Sequence, residues 1–222
     1  MAQNMFLYWG SGSTPCWRAM IVLEEKQLSG YGQKLVSFSA KEHKSEEIMK
    51  INPRGQVPTF KHGDIVLNES MGICHYLESQ FKNQGTKLIP DNAEKQALVL
   101  QRMYEVENII DKANRKIMYY IWYNKESLDE NLLTERRQAL GTELKIWEEF
   151  LTNKKYITGD EFTMADAFFF PQIAILVRGS LSFENRPNLK RYYEELSQRP
   201  SIMASWPPHF KDTPPTEMFT KI

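Results

Sequence analysis

The sequence predicts a mixed α/β unit followed by an all-helical one, and two observations carry that division. Up to about residue 80, short apolar runs alternate with amphipathic stretches in the order strand, helix, strand, short helix, strand, strand, helix. Beyond residue 92 the apolar period is persistently helical, with no short repeat or low-complexity tract to suggest a solenoid or a flexible adaptor. A chain of 222 residues can bury a sizeable core, as one large domain or two smaller ones. The change of period places the domains at 1–82 and 93–222, with a linker over 83–92.

Each element has a local reason. Met5 to Tyr8 is an apolar strand candidate that runs into the turn Gly10-Ser11-Gly12-Ser13-Thr14-Pro15. From Cys16 through Lys26, Ala19, Met20, Val22 and Leu23 form a buried helical stripe, with Arg18, Glu24, Glu25 and Lys26 expected mostly in solvent. A strand lies within Tyr31 to Phe38, a short helix around Ser45 to Lys50, a break at Asn52-Pro53-Arg54-Gly55, and a strand around Thr59 to Lys61. His62-Gly63-Asp64 turns the chain into Ile65-Val66-Leu67, after which a helix carries Ile73, Tyr76 and Leu77 on one face.

In the second region, Leu98, Met103, Val106 and Ile110 are expected to form one buried stripe, and Leu140, Leu144, Trp147 and Leu151 another. Thr163 is placed to cap a helix with Asp166 three residues on, and Phe162 to staple against Ala167. Pro187 and Pro200 bracket a helix centred on Tyr192. Trp206 to Phe210 is an irregular aromatic tail, suited to covering another helix or to forming a flap over a pocket.

Composition excludes several classes. Hydrophobic residues at 41% argue against disorder, and 28 basic against 28 acidic residues give no reason to expect nucleic acid or a membrane surface as partner. Two cysteines cannot build a disulfide scaffold or an all-cysteine metal site, and the histidines lack metal-ligand spacing, so no metal is expected. The amino terminus has no signal-like run, and Phe168 to Ile175 is too short to span a bilayer; a cytoplasmic location is the expectation.

In order and spacing, four segments resemble the cytosolic glutathione transferase family. They are Ser13-Thr14-Pro15-Cys16, Asn52-Pro53-Arg54-Gly55-Gln56-Val57-Pro58, Leu67-Asn68-Glu69-Ser70, and Gly159 through Asp166. Gly10 through Arg18 and Ser205-Trp206-Pro207-Pro208 look most like the rho class of fishes and molluscs. The resemblance implies a thioredoxin-like N-terminal domain that binds reduced glutathione as a co-substrate. It also implies an all-α C-terminal domain that supplies most of the pocket for a small electrophile, and a C2 homodimer in which Phe60 is a candidate insertion residue.

The same resemblance assigns roles. Val57, before a cis Pro58, would pair with glutathione's backbone as an added strand does. Glu69 would meet the ligand's ammonium and Ser70 its γ-glutamyl carboxylate at a helix start. Gln56 would orient the peptide, while His43 and Lys44 reach its glycine carboxylate. Met103, Tyr104, Glu107 and Ile110, with Trp206 and Phe210, are the candidates for the electrophile side.

Thiolate is the reactive form of the sulfur, so the site needs a donor that stabilises it. By resemblance to the serine-using classes of the family, Ser13 is the first candidate and Ser11, two residues away in the same turn, the second; Tyr8, Cys16 or a backbone-dominated arrangement follow. Two other functions stay open at this point: a glutathione-dependent thiol reductase working through Cys16, and a non-enzymatic module that binds glutathione or a protein.

Overall fold

The computed structural model describes residues 4–222, which form two compact units. One runs to Leu88 and includes Pro200–Thr213; the other comprises Ile89–Arg199 with Pro214–Ile222.

The first unit contains β1 (Met5–Trp9), α1 (Thr14–Glu25), β2 (Gly32–Leu35), α2 (Glu46–Ile51), β3 (Thr59–His62), β4 (Ile65–Leu67) and α3 (Ser70–Gln80). Its sheet has the order β2-β1-β3-β4, with β1 parallel to β2 and the other two pairs antiparallel. The β1-α1-β2 crossover demands the parallel pair, and the Gly63 turn at φ +57 the antiparallel hairpin. This is the thioredoxin-like arrangement. Phe60, the candidate insertion residue, is fully buried within the chain opposite Leu7 and Leu67 and against Tyr76, so it does not project.

One face of α1 departs from expectation. Arg18, Glu25 and Lys26 are 3%, 5% and 0% exposed. Lys26 pairs with buried Glu78, and the Ser201 hydroxyl donates to Glu25. Distant partners therefore enclose charges that a helix read alone would turn to water.

The first unit extends to Leu88, held to α1 and α3: Thr86 N donates to Glu25 O at 2.8 Å, and Leu88 N to Glu78 at 3.0 Å. Gly85 sits at φ +61, where a Cβ would lie 2.1 Å from the Glu25 carbonyl oxygen. Gly85→Ala is thus expected to cost about 2–4 kcal/mol. A thermal scan should show a Tm fall of roughly 5–12 °C.

The second unit is all-helical: α4 (Ala93–Ile109), α5 (Tyr119–Tyr123), α6 (Glu130–Phe150), α7 (Met164–Arg178) and α8 (Pro187–Ser197). Short α9 (Pro200–Ala204) and α10 (His209–Asp212) return to the first unit. Between α4 and α5 the backbone widens into a π-helix over Ile110–Met118. The buried stripe is Val99, Met103, Val106, Ile109, Ala113 and Ile117, so Val99 and Ile109 replace the expected Leu98 and Ile110. Leu140, Leu144, Trp147 and Leu151 are fully buried, with Trp147 stacked on Phe169 of α7 at 4.2 Å. Among the described residues, no helix is long and apolar enough to cross a membrane.

Candidate active site

The sheet register brings the expected glutathione segments to one end. Trp9 opposes Leu35 and Tyr8 opposes Thr59, so the turn after β1, the His43-Lys44 segment after β2 and Val57-Pro58 before β3 emerge together. Phe60 opposes Leu67, which brings Glu69-Ser70 to the same end. The alternation of these strands thus assembles segments that lie far apart in sequence.

Ser13 caps α1: the Cys16 amide donates to its Oγ at 3.4 Å, and Pro15 opens the helix. A hydroxyl that accepts through a lone pair still carries one proton to donate. Ser11 is differently engaged, its Oγ lying 2.5 Å from His209 Nδ1. Tyr8 belongs to a small core with Val36 and Ile48. Its hydroxyl donates to Glu47 at 3.0 Å, and burial, then Glu47, raises its pKa.

Val57 is half-buried and its bond to Pro58 is cis. Asn52, 1% exposed, holds the loop before it by donating to Gln56 O at 2.8 Å and to Thr59 Oγ1 at 3.1 Å. The role of Asn52 was not anticipated, although its place before Pro53 marked a break. Gln56 itself is exposed. His43 is half-buried beside Phe38, and Lys44 donates to Arg54 O at 2.7 Å, so its ammonium serves the loop.

Glu69 occupies the N-cap of α3 but makes no side-chain capping bond, and it is exposed, whereas Ser70 is 8% exposed. Capping therefore does not account for Glu69. A concavity of about 600 Å³ is lined by Asn52, Pro53, Arg54, Val66, Leu67, Asn68, Glu69 and Gly72. Of the expected ligand residues, its lining includes Glu69.

Cys16 and Cys74 are free and completely buried. Burial pushes both thiols up to about 12, against the opposing pull on Cys16 of Ser13 and the Gly10 amide and on Cys74 of Arg18. A raised thiol pKa keeps the unreactive form through neutral pH. Neither cysteine of the native protein should therefore react with an aromatic disulfide reagent at about pH 8, and both should after denaturation. Rapid labelling of the native chain would contradict this.

In the helical unit, Met103 is 1% exposed and takes a core position, whereas Tyr104 is 61% exposed. Glu107 and Ile110 are half-buried. Trp206 and Phe210 pack edge-on against Trp17, with centroids at 5.2 and 6.0 Å. Among the described residues, no cluster of three or more His, Cys, Asp or Glu is placed to hold a metal.

A thioredoxin-like unit followed by an all-helical one, with a serine turn, a cis-prolyl loop and a helix start at one sheet end, defines a glutathione transferase-like enzyme. Comparison with known proteins agrees. Residues 4–79 match the glutathione S-transferase N-terminal domain and residues 113–200 the C-terminal domain. The chain is 51% identical over 217 residues to glutathione S-transferase A of Pleuronectes platessa, covering 96% of each. A glutathione S-transferase structure from the Antarctic clam Laternula elliptica matches with TM-score 0.91 at 42% identity, covering 98% of this chain and 99% of that one. An epsilon-class glutathione S-transferase from the housefly Musca domestica matches with TM-score 0.81 at 27% identity, covering 94% of each. The chain belongs to the glutathione S-transferase family.

Proposed function

We propose that the protein conjugates reduced glutathione to small, largely apolar electrophiles, in the manner of a detoxifying enzyme of the rho class. The observation that carries this is the α3 start: Glu69 at the N-cap makes no capping bond, at the sheet end where Val57-Pro58 and the serine turn also open. Exposed backbone donors there suit the γ-glutamyl carboxylate, and Glu69 suits the adjacent ammonium. Val57 offers its backbone to the cysteinyl unit, with Gln56 and His43 toward the rest of the peptide and Lys44 adjusting its bond to Arg54 to reach the glycine carboxylate.

In the reaction, glutathione's thiol gives its proton to solvent, and the Ser13 hydroxyl donates a hydrogen bond to the resulting thiolate. Sulfur forms the bond to the electrophilic carbon, and the leaving group departs with the bonding pair. We place the electrophile against Tyr104, Glu107 and Ile110 of the helical unit. We assign the working form as a homodimer; exposed Ile65 and Val66 on β4, rather than Phe60, supply apolar surface for it. Two buried free thiols suit a reducing cytoplasm.

A panel of haloaromatic electrophiles and mixed disulfides tests the reading. Conjugation that survives Cys16→Ala is expected. Disulfide reduction abolished by Cys16→Ala would establish a reductase instead, and glutathione binding with neither activity a binding module.

A further inference from the structure

We propose that His209 is a positioning residue of the thiol site, holding the Gly10–Ser13 turn so that the Ser13 hydroxyl meets glutathione's sulfur. The inference rests on the transferase reading of that turn.

The geometry points from both sides of the contact. A turn containing Gly10 and Gly12 has little intrinsic stiffness, and its Ser11 Oγ lies 2.5 Å from His209 Nδ1. Gly12, at φ +77, lets the imidazole lie against the turn: a Cβ there would stand 2.5 Å from His209 Cε1 and 3.4 Å from Phe210 Cε1. His209 is itself held in place by its neighbours. Trp17, 2% exposed on the first turn of α1, donates through Nε1 to Ser205 Oγ at 3.0 Å, and Ser205 donates to Ser201 O at 2.7 Å. Trp17, Trp206 and Phe210 meet edge to face in all three pairs. The α1 start and residues 201–210 thus form one packed block from which the imidazole reaches the turn.

Ser11 is thereby a tether and Ser13 the donor. Releasing the tether lets the turn sample orientations in which the Ser13 hydroxyl misses the sulfur, a loss felt where charge develops on it. The effect belongs in kcat and in thiol ionisation, with little change in KM for glutathione, because the segments that hold the peptide are elsewhere.

The test compares the full-length parent with His209→Phe, which keeps a ring and removes the nitrogen. His209→Asn serves as the rescue, its amide nitrogen standing near the place of Nδ1. The readouts are kcat and KM for a haloaromatic electrophile and the ionisation of bound glutathione. His209→Phe should lower kcat about tenfold and raise the bound thiol's pKa by about one unit, with His209→Asn within about twofold of the parent. Ser11→Ala should match His209→Phe, and the double variant should add nothing further. Parent-like values for His209→Phe, or an equal loss in His209→Asn, would overturn the tether while leaving the transferase reading intact. A parent that leaves bound glutathione's thiol at its free pKa would overturn both.

Discussion

Asp166→Ala is expected to destabilise the helical unit by about 3–5 kcal/mol. The carboxylate is completely buried at the start of α7 and accepts from the amides of Ile157 at 3.0 Å and Thr163 at 2.8 Å. The Thr163 and Tyr192 hydroxyls donate to it as well, each at 3.1 Å. Alanine would leave these buried donors unanswered, and it would disconnect α7 from α8 and from the loop before it. Chemical denaturation of the variant should show the loss, and a change below about 1 kcal/mol would show that the network is dispensable.

The same residue sets a pH dependence. Burial pushes the Asp166 carboxyl from 3.8 up to about 6, outweighing the four hydrogen bonds, which act the other way. Because the folded pKa lies above the unfolded one, the folded state binds the extra proton between them, and this group's contribution falls as pH rises from about 4 to 6. Asp166→Asn, which does not titrate, should therefore lie furthest below the parent near pH 4. The gap should narrow by roughly 1–3 kcal/mol at neutral pH; a gap that widens instead would reverse the assigned direction.

Ser13→Ala should lower kcat/KM for conjugation by about 10- to 100-fold, the scale of one hydrogen bond to a developing anion. Ser11→Ala should cost about tenfold, since its hydroxyl engages His209. Alanine at 13 also removes the α1 cap, worth about 1 kcal/mol of stability. Ser13→Gly separates the two effects: glycine is tolerated at an N-cap to within a few tenths of a kcal/mol, but it cannot donate to sulfur. If Ser13→Gly keeps parental activity, the donor lies elsewhere.

Why these features differ in legibility follows from the range of the forces involved. The order of the seven elements from β1 to α3 was written locally, in short apolar runs and in the turn residues between strands, and the start of α7 in the Thr163-Asp166 capping box. The widened turn at Ile110–Met118 was not, because a helical stripe read at constant period runs from Leu98 to Ile110, whereas the backbone selects Val99 and Ile109. Nor was the enclosure of Lys26, whose partner Glu78 lies on another helix. His209 stood in plain view between Trp206 and Phe210, yet its meaning depends on Ser11 at the opposite end of the chain. Local chemistry thus named the serine turn and the family resemblance the cis-prolyl loop, while the contact that joins the tail to that turn needed the fold.

In the proposed mechanism this chain binds glutathione and holds its sulfur as a thiolate through Ser13. Titration of the bound thiol by difference absorbance tests it most directly. The parent should bring the pKa at least one unit below the ~8.5 of a free thiol, with Ser13→Gly returning it most of the way. A bound thiol that titrates at its free value in the parent, or one that stays depressed in Ser13→Gly, would contradict the account.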